Sequence, residues 1–330
     1  MKLEFGFQLA NMEHGRIIAL TQAADALDYD YIVLPDHIVL EGPERSYNPR
    51  DLAWDMMSMA AALAVSTKKI RIGHLVLCNL FRHPAITAQS LSTIDHLSNG
   101  RLLAGLGTGW TATEFEMTGI PFPAIPERLR MLDEALVCIK SLWTQEHTNF
   151  DGEFYKLKDA ILWPKPVQKP IPPIIVGGGG KGLLRIAAKH ADFVNLIPDA
   201  GKAGQISLDQ VKKLTDRSYQ EKVRFIRDEA KRIGRDPDAV RISSFIFVLG
   251  LTDSAAMSRQ MAEGIAPMFQ LGVEEVLASP MVLIGTPEEM VKELKHRVKD
   301  WGVSQFLFNS MTGVDENLLR RLKEKVLAHV

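Results

Sequence analysis

The sequence predicts a (β/α)₈ TIM barrel, an α/β fold, as a single domain over residues 1–330. Three observations carry this expectation. Short apolar runs alternate with amphipathic helical stretches along the whole chain. The alternation counts to eight strand–helix units. Glycine-rich turns follow two of the strands. Strand alternating with helix implies a parallel sheet covered by helices, because parallel neighbours need crossover connections. Eight units favour closure; an open sheet is the alternative if short runs have been miscounted.

Leu3–Leu9 reads as the first strand and Gly15–Leu27 as its helix. Tyr31–Pro35 is a strand, Trp54–Ser66 is helical, and Ile70–Leu77 is a β-branched third strand. Pro84 opens a helix at a position that tolerates its missing N–H, and Asn99-Gly100 closes it. Arg101–Leu106 is the fourth strand and Arg128–Trp143 its helix. Ile174–Val176, Phe193–Leu196, Ile242–Leu249 and Gln305–Phe308 supply four more strands, with helices beginning near Lys181, Leu208, Ser254 and Asp315. A further helix, about Pro287–Trp301, lies between the seventh and eighth units, so insertions are expected after strands 4, 6 and 7. Three connections are long: Thr108–Glu127, Phe150–Pro173 with a hairpin turning at Asp151-Gly152, and Pro198–Ser207. Long connections in compact barrels are usually functional or mobile, and barrel active sites lie at strand C-termini.

Composition narrows the function. A net charge of −1 gives no electrostatic case for nucleic acid or an anionic membrane surface. No apolar stretch is long enough to span a bilayer, and no signal peptide is visible. Cys78 and Cys138 lie in apolar runs and read as buried thiols, which fits a reducing cytoplasm. No His/Cys/Asp/Glu cluster has metal-ligand spacing, and there is no nucleophile elbow.

Three segments carry chemistry. IVLPDH, Ile32 to His37, ends a strand in a carboxylate and an imidazole, suited to ligand orientation and proton work; the alternative is a turn cap and a packing residue. GLGTGW, Gly105 to Trp110, lets backbone approach a flat ring but lacks dinucleotide spacing; a tight turn is the alternative. IIVGGGGKG, Ile174 to Gly182, places glycines and Lys181 at a helix start, a ready anion site, against the alternative of a flexible loop. His74 either enters the barrel mouth or is a core histidine. Trp110, Phe81 and Phe115, with Phe122 and Met117, suggest an apolar substrate mouth or packing under the long loop.

Taken together, LPDH, the Arg71–Trp110 block RIGHLVLCNLFRHPAITAQSLSTIDHLSNGRLLAGLGTGW, ERLRMLDEAL, PKPVQKPIPPIIVGGGG and ADFVN resemble the bacterial luciferase-like monooxygenase superfamily over nearly the whole chain. That resemblance implies a barrel binding FMN or the deazaflavin coenzyme F420 at its strand C-termini. It places Asp36 and His37 beside the ring as catalytic candidates. It also implies a non-proline cis peptide near Leu75–Val76, with His74, behind the ring. Gly107, Thr108 and Gly109 would approach the cofactor, and Gly177, Gly178, Gly179, Gly180 and Lys181 would take its phosphate. One departure stands out: some sugar-phosphate and alcohol dehydrogenases of this superfamily carry a catalytic glutamate where this chain has Trp110, and the nearest acid is Glu114.

The LPDH pairing looks most like the deazaflavin branch. The leading expectation is therefore hydride transfer between F420 and a small organic substrate, with His37 handling a proton. The alternatives are an FMN-dependent monooxygenase, served by a flavin or F420 reductase, and a non-catalytic flavin-binding barrel. The resemblance also implies a homodimer.

Overall fold

The computed structural model describes residues 2–41, 47–200, 207–309 and 313–330. The chain runs through β1 (Glu4–Gln8), α1 (His14–Ala26), β2 (Tyr31–Leu34), α2 (Met56–Ser66), β3 (Arg71–His74), β4 (Leu77–Cys78), α3 (Pro84–Leu97) and β5 (Leu102–Gly107). It continues as α4 (Ala112–Thr118), α5 (Ile125–Thr144), β6 (Thr148–Asp151), β7 (Lys156–Ala160), β8 (Ile174–Gly177), α6 (Lys181–His190), β9 (Phe193–Leu196), α7 (Leu208–Lys213) and α8 (Asp216–Arg232). The last third is β10 (Arg241–Ile246), β11 (Val248–Leu251), α9 (Ala255–Phe269), α10 (Val273–Leu277), β12 (Val282–Gly285), α11 (Pro287–Trp301), β13 (Val303–Asn309) and α12 (Glu316–Lys325).

Eight parallel positions close the barrel in the order β3-β2-β1-β13-β10-β9-β8-β5, and β5 pairs back with β3 through Ile72↔Leu102 and Gly73↔Leu103. The short β4 continues the β3 position one step further along β5. Alternation across each strand splits the apolar residues into two cores. Tyr31, Val33, Leu103, Ile175, Phe193 and Leu307 form the small inner cluster, whereas their neighbours Ile32, Leu34, Leu102, Ile174, Val194 and Phe306 join the large core under the helices. At the N-terminal end of the barrel the interior is ionic. Glu4 accepts from Arg71 at 2.6 Å, Arg241 at 3.1 Å and Gln305 at 3.2 Å.

Local chemistry explains the element ends. Pro84 starts α3 behind a His83 cap, and Asn99 and Gly100, with φ of 53° and 78°, stop it as the sequence implies. The hairpin β6–β7 forms at Gly152, and the Glu134 carboxylate accepts the N–H groups of residues 153, 154 and 155 to close its turn. The turn reaches back to the strand C-termini: the Tyr155 hydroxyl accepts from Asn79 Nδ2 at 3.1 Å, and the Asn79 N–H donates to the Gly107 carbonyl at the end of β5.

Two expectations change. The run Ile242–Leu249 is not one strand: β10 stays in the barrel, while β11 pairs in parallel with β12 outside it. Phe247 and Val248 both donate to the Met281 carbonyl, which draws the chain off the barrel at that point. The unit β11–α9–α10–β12 has its own small core around Val248, Ala262, Phe269 and Val282 and is the insertion after the seventh barrel strand. The insertion after β5 holds the helix α4, which sequence periodicity over seven residues does not reveal. Of the stretch Pro198–Ser207, residues 201–206 lie outside the described residues.

Candidate active site at the barrel mouth

The interruption between β3 and β4 organises the mouth. β3 ends at His74, the Leu75–Val76 peptide bond is cis, and β4 resumes at Leu77. The Leu75 N–H donates to the Leu34 carbonyl at 2.9 Å, and the Leu75 carbonyl accepts from Gln8 Nε2 at 2.9 Å. Gln8 in turn accepts from Asn309 Nδ2 at 2.8 Å, and Asn195 donates to Ser243 Oγ at 2.9 Å. A polar layer therefore crosses the barrel beneath this bulge. Gly107 is required here for space, because a Cβ there would run into the Val76 side chain; a Cβ on Gly177 would lie 3.1 Å from the same residue. The glycines at the ends of β5 and β8 thus make room for Val76.

The strand β2 delivers Asp36 and His37 beside this bulge, and the two side chains have different surroundings. Asp36 is 6% exposed and bonded on both oxygens. Arg82 grips it with Nη1 at 2.7 Å and Nη2 at 3.1 Å, and the Cys78 N–H donates at 3.0 Å. Arg82 also reaches Asp55, the cap of α2, at 3.2 Å. Asp36 therefore ties the end of β2 to β4 and α2 instead of facing the mouth with a free carboxylate. His37 remains partly open. Its Nδ1 lies 3.1 Å from Glu114 Oε1, and its ring meets Trp110 edge-on at 5.7 Å between centroids.

Glu114 is the residue the sequence reading set aside. It sits in the first turn of α4, 2% exposed, and returns to the β2 end across 77 positions. The same Oε1 also accepts the Ile38 N–H at 2.6 Å and the Val39 N–H at 3.2 Å.

Three other expected site residues are corrected. The His74 ring is wholly buried on the outward face of β3, where Nε2 meets the Met56 carbonyl at 3.1 Å. Burial pulls its pKa below the usual histidine range, so it is a neutral core residue and not a mouth residue. Phe115 is 3% exposed, stacks on Phe122 at 4.2 Å and meets Phe81 at a tilt at 5.3 Å, which places it in the packed core of the insertion. Lys181 is exposed and lies over the Phe225 ring at 5.7 Å, on the outside of α6. The cation that does reach the glycine loop is Lys222 of α8, whose Nζ donates to the Gly179 carbonyl at 2.5 Å. Burial pulls its pKa below the ordinary lysine range, with Asp199 opposing that shift.

The loop itself is tightly packed. A Cβ on Gly178, where φ is 152°, would strike Leu183, and one on Gly179 would strike the Ile197 carbonyl. Gly180, the N-cap of α6, brings no capping side chain of its own, and the Asp199 carboxylate lies beside it, 3.0 Å from where a Cβ on Gly180 would stand. Thr108 and Gly109 lead into the insertion, and the Gly109 carbonyl accepts from Arg128 Nη1 at 2.7 Å. Beneath Gly109 lies the buried Cys78, whose thiol is pushed up to about 12 by burial. Gln8, Asn195, Asn309 and Arg82 are not among the residues the sequence singles out, and Glu114 stands there only as the acid nearest Trp110. Inward parity at the C-terminal ends of strands could have flagged the first three, whereas Arg82 and Glu114 act through contacts distant in sequence.

The comparisons with known proteins agree with this architecture. The luciferase-like monooxygenase family model matches residues 8–305. An F420-dependent glucose-6-phosphate dehydrogenase of Amycolatopsis mediterranei is 28% identical over 340 residues, covering 98% of both chains. An F420-dependent secondary alcohol dehydrogenase, solved with an F420-acetone adduct, superposes over 100% of both chains with a TM-score of 0.76 and 22% identity. EDTA monooxygenase from Chelativorans sp. BNC1 superposes over 99% of this chain and 94% of its own with a TM-score of 0.79 and 15% identity. With a family model spanning nearly the whole barrel, the chain belongs to the luciferase-like monooxygenase family.

Proposed function

We propose that this protein is an F420-dependent oxidoreductase that exchanges a hydride with a small organic substrate at the barrel mouth. The observation that carries the reading is His37: a partly open imidazole, anchored through Nδ1, at the end of the strand next to the Leu75–Val76 bulge. Full-length similarity to F420-dependent glucose-6-phosphate dehydrogenases supports the choice of deazaflavin over FMN.

The residues present fit such a cofactor. The bulge, braced from below by Gln8 and flanked by glycines at 107 and 177, offers a shaped apolar support for one face of a planar ring. The start of α6, where Gly180 has no capping side chain, presents backbone N–H groups suited to an anion, with Lys222 behind Gly179 and the Asp199 carboxylate beside Gly180 as the opposing charge. When bound, the deazaflavin gives or takes a hydride at ring position 5. His37 handles the proton that accompanies this transfer. Asp36 and Arg82 hold the β2 end in place, and Trp110 packs against the His37 ring. Because Trp110 stands where some sugar-phosphate and alcohol dehydrogenases of the family carry a catalytic glutamate, their acid–base assignment is not carried over, and we do not extend the reading to a sugar phosphate.

The test is direct. The purified protein is mixed with oxidised F420 and a panel of small alcohols, and with reduced F420 and carbonyls, imines or activated alkenes. Substrate-dependent change in the deazaflavin absorbance supports the proposal. Oxygen consumption with reduced FMN, and no change with F420, would replace it with monooxygenation.

A further inference from the structure

We infer that Glu114, carried by the insertion after β5, is a positioning residue that sets which nitrogen of His37 bears the proton. This rests on the proton role proposed for His37 and deepens it.

One carboxylate oxygen, Oε1, receives three groups: Ile38 N–H at 2.6 Å, Val39 N–H at 3.2 Å and His37 Nδ1 at 3.1 Å. Two of these partners are fixed donors. An oxygen already accepting two backbone N–H bonds is poorly placed to carry a hydrogen of its own, so the hydrogen in the third contact lies on Nδ1. Glu114 is almost wholly buried, and Thr118 Oγ1 bonds its own backbone carbonyl one turn on, so the acceptor is held on a fixed helix. A buried carboxylate fixing one ring nitrogen of a histidine determines the tautomer and so the character of the other nitrogen.

The consequence is chemical. With hydrogen on Nδ1, Nε2 of the neutral ring presents a lone pair, so the neutral form of His37 is a proton acceptor. Nε2 would then take the hydroxyl proton of an alcohol, and the step would balance with a bound deazaflavin as the hydride acceptor and a carbonyl as the product. The imidazolium so created faces the Glu114 carboxylate, which stabilises it. In the reverse direction the same imidazolium returns the proton. The carboxylate also joins α4 to the 37–39 turn, so the mouth insertion and the proton acceptor are held in one register.

The experiment uses the full-length protein without any cofactor, so its outcome is separate from whether F420 binds. Histidine is labelled with ¹⁵N, and the His37 resonances are assigned by their loss in His37→Gln. We expect a protonated Nδ1 and an unprotonated Nε2 in the wild-type protein at mildly alkaline pH. Glu114→Leu should lose the Nδ1–H form and gain Nε2–H. Glu114→Gln, whose amide oxygen can still take the three bonds, should restore the wild-type pattern. If Glu114 only closes the 37–39 turn, the wild-type spectrum will show Nε2–H or a tautomer mixture; that result overturns the inference even if Glu114→Leu fails to fold. An unchanged Nδ1–H signal in a folded Glu114→Leu protein overturns it as well.

Discussion

His37 and Asp36 are adjacent in sequence but do different work. Asp36 has no free oxygen, since Arg82 and the Cys78 N–H use both. Replacing Arg82 with Leu leaves a buried carboxylate half-paired and should cost about 3 kcal/mol, read as a lower urea midpoint. His37→Ala should behave differently: F420 affinity should stay within about threefold while turnover falls by about 10²-fold or more, the usual contribution of a positioned acid–base group. Comparable losses of affinity and turnover would move His37 into ligand binding. At the glycine loop, Lys222→Met should weaken F420 binding by about tenfold, equal to ~1.4 kcal/mol, while Lys181→Met should change little, because Lys181 lies on Phe225. This residue-level division was only partly legible in the sequence. The motif around Lys181 draws attention to the nearer cation, but the helix turns that side chain outward and α8 brings Lys222 in from 43 residues away.

Among the elements, the insertion after β5 does most to shape the mouth. Its core is the aromatic cluster of Phe81, Phe115 and Phe122, with Arg128 over Phe122 at 3.9 Å and bonded to the Gly109 carbonyl. Phe115→Ala should remove about 3 kcal/mol from this packing. Because the insertion lies outside the barrel ladder, the loss should appear as faster amide exchange across 112–118, with a smaller change in the global unfolding midpoint. Equal exchange in both proteins would show that the cluster does not hold α4. Strand–helix alternation made the eight barrel units readable, and helix ends such as Pro84 and Asn99-Gly100 followed from local chemistry. Two element-scale features did not. Residues 242–251 are apolar almost throughout, so nothing local marks where β10 leaves the barrel for the β11–β12 pair. α4 is too short to show a helical period, and its boundary is set by tertiary packing.

In the whole molecule, barrel closure depends on the ionic plug as well as on the apolar cores. Burial pushes the Glu4 pKa up, but Arg71 and Arg241 outweigh it and hold the carboxyl below its ordinary range. Across the helix layer, hydrogen bonding from His190 and Lys189 holds Asp133 down to about 2. Both are depressed carboxylates, so their stabilisation is present above their unfolded values near 4 and is lost as pH falls through the folded ones. Stability to urea should therefore be level from neutral pH to about 5 and fall steeply between about 4 and 2. Glu4→Leu should lower stability at pH 7, by about 2 kcal/mol given the partly exposed arginines, and flatten this acid limb; an unchanged limb would remove Glu4 from the account. The fold was legible at this scale because composition and alternation leave few other architectures. The plug was not, since Glu4, Arg71 and Arg241 meet only once the barrel closes. Whether the mouth holds a deazaflavin is tested most directly by a fluorescence titration of the purified protein with oxidised F420, run in parallel with FMN. Saturable binding of F420 that is much tighter than FMN, and weakened in Lys222→Met, is the expected result. Tight binding of FMN alone, or of neither compound, would contradict it.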